Sequence, residues 1–299
     1  MIPIPPRTRR SINPKKMSSD VVSGEGKRPL IAFLGPVGTF SHGAVLRHFG
    51  DDARLLDLAT IDDVFAAVEG GTAEFGVVPV ENSTEGAVNN TLDCLVDTRL
   101  RIVGEEVVRI VHHFMFLPGS DPAALTKVVS HKQSLAQCRK WLARHWPRLP
   151  QAEVASNAEA ARIASLEPHT AAIAGEMASI IYQLEIGSRA IQDQHDNSTR
   201  FLVLGKQPVA ATGHDKTSTL IYTQNKPGAL FRVLEPFERH QVSLTRIETR
   251  PSRKAVWDYV FFVDFEGHEQ DEPVQQVLAA LATGIAEVKL LGSYPVARP

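Results

Sequence analysis

At 299 residues the chain is long enough for two or three domains. An apolar fraction of 43% with 22% charged residues is ordinary for a globular protein, and no run approaches the roughly 20 apolar residues that span a bilayer. A formal net charge of −2 argues against a nucleic-acid partner, which a basic stripe would favour, and the two cysteines, Cys94 and Cys138, have neither CxxC nor zinc-ligand spacing.

Residues 1–28 carry Arg7, Arg9, Arg10, Lys15 and Lys16 among prolines at 3, 5, 6 and 14, with no apolar core for export. This stretch reads as a disordered basic tail, with Met17 as an alternative start; its prolines oppose the amphipathic helix of an organellar transit peptide. Two thiols without a framework fit a reducing cytoplasm. From Pro29 short apolar runs alternate with helical periodicity, as in α/β sheets. Leu30–Leu34 reads as a buried strand, Gly35–Gly38 as a turn into a helix ending at Phe49, and Phe75–Val80 as a strand running into the polar loop Glu81–Gly86. Ile61, Val64, Phe65 and Val68 form one face of a helix. The apolar stretch Leu100–Leu117 is long enough to cross from one lobe to another.

A second α/β set follows, with strands at Val128–Ser130, Glu153–Ala155 and Ala171–Ala174 and helices at Gln133–His145, Ala158–Ser165 and Glu176–Leu184. Thr199–Leu204 returns to strand character after the polar segment Asp193–Ser198. These patterns predict lobe 1 at about 29–108 plus 192–205, lobe 2 at about 109–191, and a cleft lined by loops at the carboxyl ends of strands. Residues 206–216 read as a linker. Beyond it, 217–299 has the order βαββαβ: strands at Thr217–Thr223, Val242–Ile247, Trp257–Phe265 and Glu287–Leu291, with helices after Gly228 and Pro273. That is a ferredoxin-like unit.

Four segments carry more than fold information: Gly35–Ser41 (GPVGTFS), Pro79–Gly86 (PVENSTEG), Ser130–Cys138 (SHKQSLAQC) and Asn197–Phe201 (NSTRF). Alone, each has a bland reading as a turn, a capped loop or a surface histidine. In this order and spacing, Leu30–Leu204 resembles the catalytic region of prephenate dehydratases, whose hallmark is Thr-Arg-Phe. The C-terminal unit resembles the ACT domain of those enzymes, with Pro227–Leu230 matching a Gly-Ala-Leu loop and Glu248–Pro251 matching Glu-Ser-Arg-Pro. Ser243 stands where asparagine is usual and Thr249 where serine is usual.

The resemblance implies loss of water and carbon dioxide from prephenate to give phenylpyruvate, without metal or cofactor. It assigns Thr199 as the donor that assists departure of the ring hydroxyl. Thr39, Ser41, Asn82, Ser83, Thr84, His131, Gln137, Arg200 and Phe201 are expected to bind or frame the substrate, Arg200 either as a carboxylate fork or as a salt bridge between the lobes. Gly228, Ala229, Leu230, Ser243, Leu244 and Glu248 are expected to hold phenylalanine between two ACT domains, hence a homodimer or homotetramer. About 28 leading residues are too few for the chorismate mutase helices of many relatives, so a monofunctional enzyme is expected. The competing readings are an arogenate dehydratase, a non-catalytic module of type 2 periplasmic-binding architecture, a metal site at His112, His113 and His131, and an amino-acid-sensing transcription regulator, which would need a helix-turn-helix.

Overall fold

The computed structural model describes residues 28–223, 226–251 and 259–297. Residues 1–27 of the expected basic tail, and Trp257 of the expected long strand, fall outside the described residues. The first lobe begins as β1 (Leu30–Leu34), α1 (Phe40–Phe49), β2 (Arg54–Leu58), α2 (Ile61–Glu69), β3 (Phe75–Asn82), the short β4 (Gly86–Ala87), α3 (Asn89–Asp97) and β5 (Arg101–Arg109). The first two helices start where a threonine hydroxyl can receive a free backbone amide. Thr39 caps His42 at the head of α1 and Thr60 caps Asp63 at the head of α2. In α2 the Ile61, Val64, Phe65 and Val68 stripe is buried, as its period requires.

The chain then crosses to a second sheet built from β6 (His113–Phe116), β7 (Lys127–Ser130), β8 (Gln151–Glu153), β9 (Thr170–Ala174) and β10 (Glu185–Ser188). Its helices are α4 (Lys132–Gln137), α5 (Arg139–His145), α6 (Asn157–Leu166) and α7 (Glu176–Ile181). The single helix expected over Gln133–His145 is broken at Cys138, which has φ −109° and ψ 12°. The strand expected at Glu153–Ala155 lies earlier, because Val128–Ser130 pairs with Gln151–Glu153. Finally β11 (Ser198–Gly205) returns to the first sheet and inserts between β3 and β5, giving the order β2-β1-β3-β11-β5; the second sheet runs β10-β6-β9-β7-β8.

The two crossings, 110–112 and 191–197, run side by side and hydrogen-bond to each other. Ile110 N–H donates to Asn197 O at 2.8 Å and Ile191 N–H to His112 O at 2.9 Å. They form the hinge between lobes. Gly38 lies where lobe 1 packs against α7 of lobe 2: its φ is +91°, and a Cβ there would sit 3.3 Å from the Tyr182 ring and 3.5 Å from the Ala178 backbone.

The C-terminal unit contains β12 (Asp215–Tyr222), α8 (Ala229–Arg239), β13 (Leu244–Pro251), β14 (Tyr259–Glu266), α9 (Glu272–Ala282) and β15 (Glu287–Pro295), with sheet order β13-β14-β12-β15. Helices α8 and α9 cover one face through Val233, Phe237, Val274, Val277 and Leu281. The other face packs on lobe 1: Leu220, Val260, Phe262, Leu291 and Tyr294 share one core with Leu92, Leu95, Ile102 and Leu202. At Gly292 (φ +151°) a Cβ would lie 2.2 Å from Ile102 O, so only glycine lets β15 come this close to β5. No helix among the described residues is long and apolar enough to cross a membrane.

Candidate active site

The site is set by one strand pairing. In the β3–β11 register Asn82 lies opposite Thr199, and Glu81 opposite Arg200. Successive side chains leave a strand on opposite faces, so Asn82 and Thr199 share the face toward the hinge while Glu81 and Arg200 share the other.

On the hinge face the polar side chains form a chain whose directions follow from the backbone. Asn82 Oδ1 accepts from Thr84 N (3.0 Å) and Glu85 N (3.1 Å), so its Nδ2 is the donor on the other side. That group donates to Thr199 Oγ1 at 2.9 Å and Asn197 Oδ1 at 2.8 Å. With its oxygen so engaged, Asn197 presents Nδ2 to Gln137 Oε1 at 3.2 Å. Thr199 is nearly buried, and one lone pair of its hydroxyl is occupied by Asn82, which leaves its proton to be donated elsewhere.

These groups border a cavity of about 380 Å³ between the lobes, lined also by Phe40, Glu85, Ile110, His112, His131, Ser134 and Asn157. Phe40 opens α1 and Asn157 opens α6, so the starts of two ten-residue helices meet the cavity. Helix starts carry unpaired amides and partial positive charge, which suits an anion. Asn157 Oδ1 accepts from Ser134 Oγ (2.9 Å) and His131 N (3.4 Å), which turns its amide NH2 outward as a donor; the Ser130 hydroxyl beside it donates to Ile173 O at 2.6 Å. The Gln137 oxygen is likewise taken by its neighbours, leaving its NH2 as a donor. A second cavity of about 300 Å³ continues outward past Thr84, Lys140 and Asp193. Between the two, Gln133 on α4 donates to the Glu85 carboxylate on the lobe 1 loop, a contact that joins the two lobes across the mouth.

Of the residues singled out in the sequence, Asn82, Thr84, His131, Gln137 and Thr199 meet at this cleft. Thr39 instead serves α1, accepting from His42 N and donating to Leu34 O. Ser41 is buried on α1 outside the lining. Ser83 ties the loop to β11, accepting from Ser198 N at 2.9 Å. Phe201 packs in the core with Phe33 and Val77. Arg200 needs the largest correction. It faces away from the cleft, donating to Glu105 Oε2 (2.6 Å), Asp264 Oδ2 (2.6 Å) and the Tyr294 hydroxyl (2.9 Å), so it ties lobe 1 to the C-terminal unit and neither binds in the cleft nor joins the lobes. Glu81 points the same way, 3.1 Å from Arg246 Nε.

His112 and His131 both border the cavity but His113 does not, and among the described residues the three form no metal-ligand cluster. His113 Nδ1 accepts from Ala190 N, and His112 belongs to the hinge network. Asn157 escaped the sequence reading, His112 entered it only as a candidate metal ligand, and Asn197 only as the opening residue of the Asn-Ser-Thr-Arg-Phe motif. In the C-terminal unit Gly228 caps α8 with φ +75°, and β13 is an edge strand on which Leu244 and Ile247 are exposed, as Leu230 and Phe231 are on α8.

Residues 31–209 match the prephenate dehydratase family and residues 217–283 match the ACT domain. A bifunctional chorismate mutase/prephenate dehydratase of Pseudomonas aeruginosa is 48% identical over 91% of this chain and 74% of its own length. Among solved structures, the prephenate dehydratase of Arthrobacter aurescens in complex with L-Phe superposes with a TM-score of 0.82 at 32% identity, covering 89% of this chain and 90% of that one. GqqA, described as a novel type of quorum quenching acylase, superposes with a TM-score of 0.81 at 29% identity, over 90% of this chain and 98% of its own. The fold therefore accommodates proteins named for different activities, and the activity of this one has to be argued from its cleft. By sequence along both of its parts, the chain belongs to the prephenate dehydratase family, with an ACT domain at its C-terminal side.

Proposed function

We propose that the protein converts prephenate to phenylpyruvate, as a carbon–oxygen lyase of the cytoplasm under phenylalanine control. In this reaction the bond to the departing carboxyl group breaks, and its electron pair enters the ring as CO2 leaves. The ring hydroxyl departs with one added proton as water. Aromatisation drives the step, so the protein has to orient the substrate and assist the leaving oxygen. The observation that carries the reading is the Thr199 hydroxyl, held by Asn82 Nδ2 so that its own proton is free for an oxygen in the cavity. A positioned donor of this kind contributes about 10²–10⁴ in rate.

The donors facing the cavity are neutral: the amides of Gln137 and Asn157 and the starts of α1 and α6. They can hold a dianion without binding its product too tightly. Lys140 in the outer cavity supplies a cation at the entrance. Phenylalanine would bind at the Gly228 loop and β13, with Ala229, Leu230, Ser243, Leu244 and Glu248, where a second copy would complete the site in a dimer or tetramer. The exposed apolar side chains on α8 and β13 support that arrangement.

The test is phenylpyruvate formation by purified protein with prephenate, with and without phenylalanine. Turnover suppressed by phenylalanine is expected. If prephenate is untouched while arogenate reacts, the substrate assignment fails but the chemistry stands. If neither reacts, the cleft is not a dehydratase site.

A further inference from the structure

One polar side chain of the hinge is not used by the chemistry above. His112 sits in the first crossing, 2% exposed, edge-on to Phe40 at 5.7 Å between ring centres. Its backbone is held on both sides, with N–H donating to Gln192 Oε1 at 3.1 Å and the carbonyl accepting from Ile191 N at 2.9 Å. Its ring has one hydrogen-bond contact, Nε2 to Gln137 Oε1 at 2.9 Å, and Nδ1 is buried without a partner among the described residues.

The proton on this ring can be read from the far end of the network. The Asn82 oxygen receives two backbone amides, which makes its Nδ2 the donor to Asn197. Asn197 then has only Nδ2 to offer Gln137, so the Gln137 atom it meets is the oxygen. An acceptor there requires the His112 proton to be on Nε2. Burial pushes the imidazole down to about 4, against the pull of Gln137, so near neutral pH the ring carries that one proton and no charge.

We infer that His112 is a positioning residue for the reaction: its Nε2–H holds the Gln137 amide in one orientation and, through Asn197 and Asn82, fixes the Thr199 hydroxyl. The inference rests on the prephenate reading above. Two substitutions separate the ring's halves. Glutamine at 112 can carry an N–H near the Nε2 position, whereas asparagine reaches only the Nδ1 position.

We would measure kcat and KM on prephenate for the wild type, H112N, H112Q, Q137A and H112N/Q137A. H112N should lower kcat about 10- to 100-fold while moving KM far less, the scale of a small misplacement of reacting groups. H112Q should recover most of that loss. The double variant should be no slower than Q137A alone, because His112 acts through Gln137. Additive losses, an H112Q as slow as H112N, or an H112N at wild-type kcat would overturn the inference. Nitrogen NMR of the wild-type protein, with histidine labelled, decides independently of whether a variant folds or prephenate reacts. A buried ring in the Nε2–H form near neutral pH is expected, assigned to His112 by through-bond correlation with its own backbone signals in the wild type, and an imidazolium or an Nδ1–H ring there sinks the idea.

Discussion

Thr199 and Arg200 are consecutive residues of β11 with unlike tasks, because a strand turns neighbouring side chains to opposite faces. Thr199→Val keeps shape and removes the hydroxyl; it should cut kcat by about 10²–10⁴. Asn82 Nδ2 keeps Asn197 as a partner in that variant, so the melting temperature should hardly move. Unchanged kcat in folded T199V would remove Thr199 from the mechanism. The motif made Thr199 and Asn82 legible, and strand alternation was itself a signal that Arg200 could not share their face. Asn157 and His112 were not legible, since each enters the site only when two distant segments come together: Asn157 through His131 and Ser134, His112 through the hinge and Gln137. Neither lies in a motif, and His112, next to His113 within an apolar run, suggested a metal ligand rather than a partner for Gln137.

The elements facing the C-terminal unit carry a buried charge cluster in place of a site. Glu105 on β5 receives Arg200 of β11, Lys216 of β12 at 2.9 Å, and the Ala297 amide at 3.1 Å. Burial alone would push its carboxyl up, but Arg200 and Lys216 with these hydrogen bonds outweigh burial and hold it below the ordinary carboxylate range. A depressed folded-state pKa means the contribution is present above the unfolded carboxylate value and is lost as pH falls through the folded one. Acid below about pH 4.5 should therefore loosen this junction, which a melting series on the wild type can follow. The more direct perturbation is Arg200→Met. It leaves Glu105 and Asp264 buried with less compensation and should cost about 3–5 kcal/mol, as broken buried pairs do. A melting temperature equal to wild type would mean that the cluster contributes nothing net. At this junction β11 and β12 followed from apolar periodicity, whereas β5 lay hidden in the stretch Leu100–Leu117 that reads as a crossing, and α3 gave no signal. Elsewhere the short β2 and β10 were too brief and mixed in character to stand out.

At the scale of the molecule, the sequence divides at residues 206–216, yet the structure does not come apart there. The C-terminal sheet and lobe 1 share an apolar core, and Lys289 Nζ donates to the carbonyls of Leu95, Val96 and Thr98 at the end of α3. That fusion was hidden in the sequence, because a linker's composition does not tell which face of the next sheet is apolar. It also suggests how a signal from the C-terminal unit could reach the cleft. Asn82 faces the reacting side, and one residue earlier Glu81 faces Arg246 of β13, at ion-pair distance although not aligned for a hydrogen bond. Allosteric control requires an interaction that differs between two arrangements, and this contact links the proposed effector strand to β3 within one residue of Asn82. Arg246→Ala should weaken phenylalanine inhibition, raising the concentration for half inhibition several-fold, about 1 kcal/mol of lost coupling. Turnover without phenylalanine should stay near wild type, because Arg246 does not border the cavity. Inhibition curves of the two proteins that superimpose would show that control does not pass through β13 and β3, and would move attention to the Arg200 cluster on the neighbouring strand.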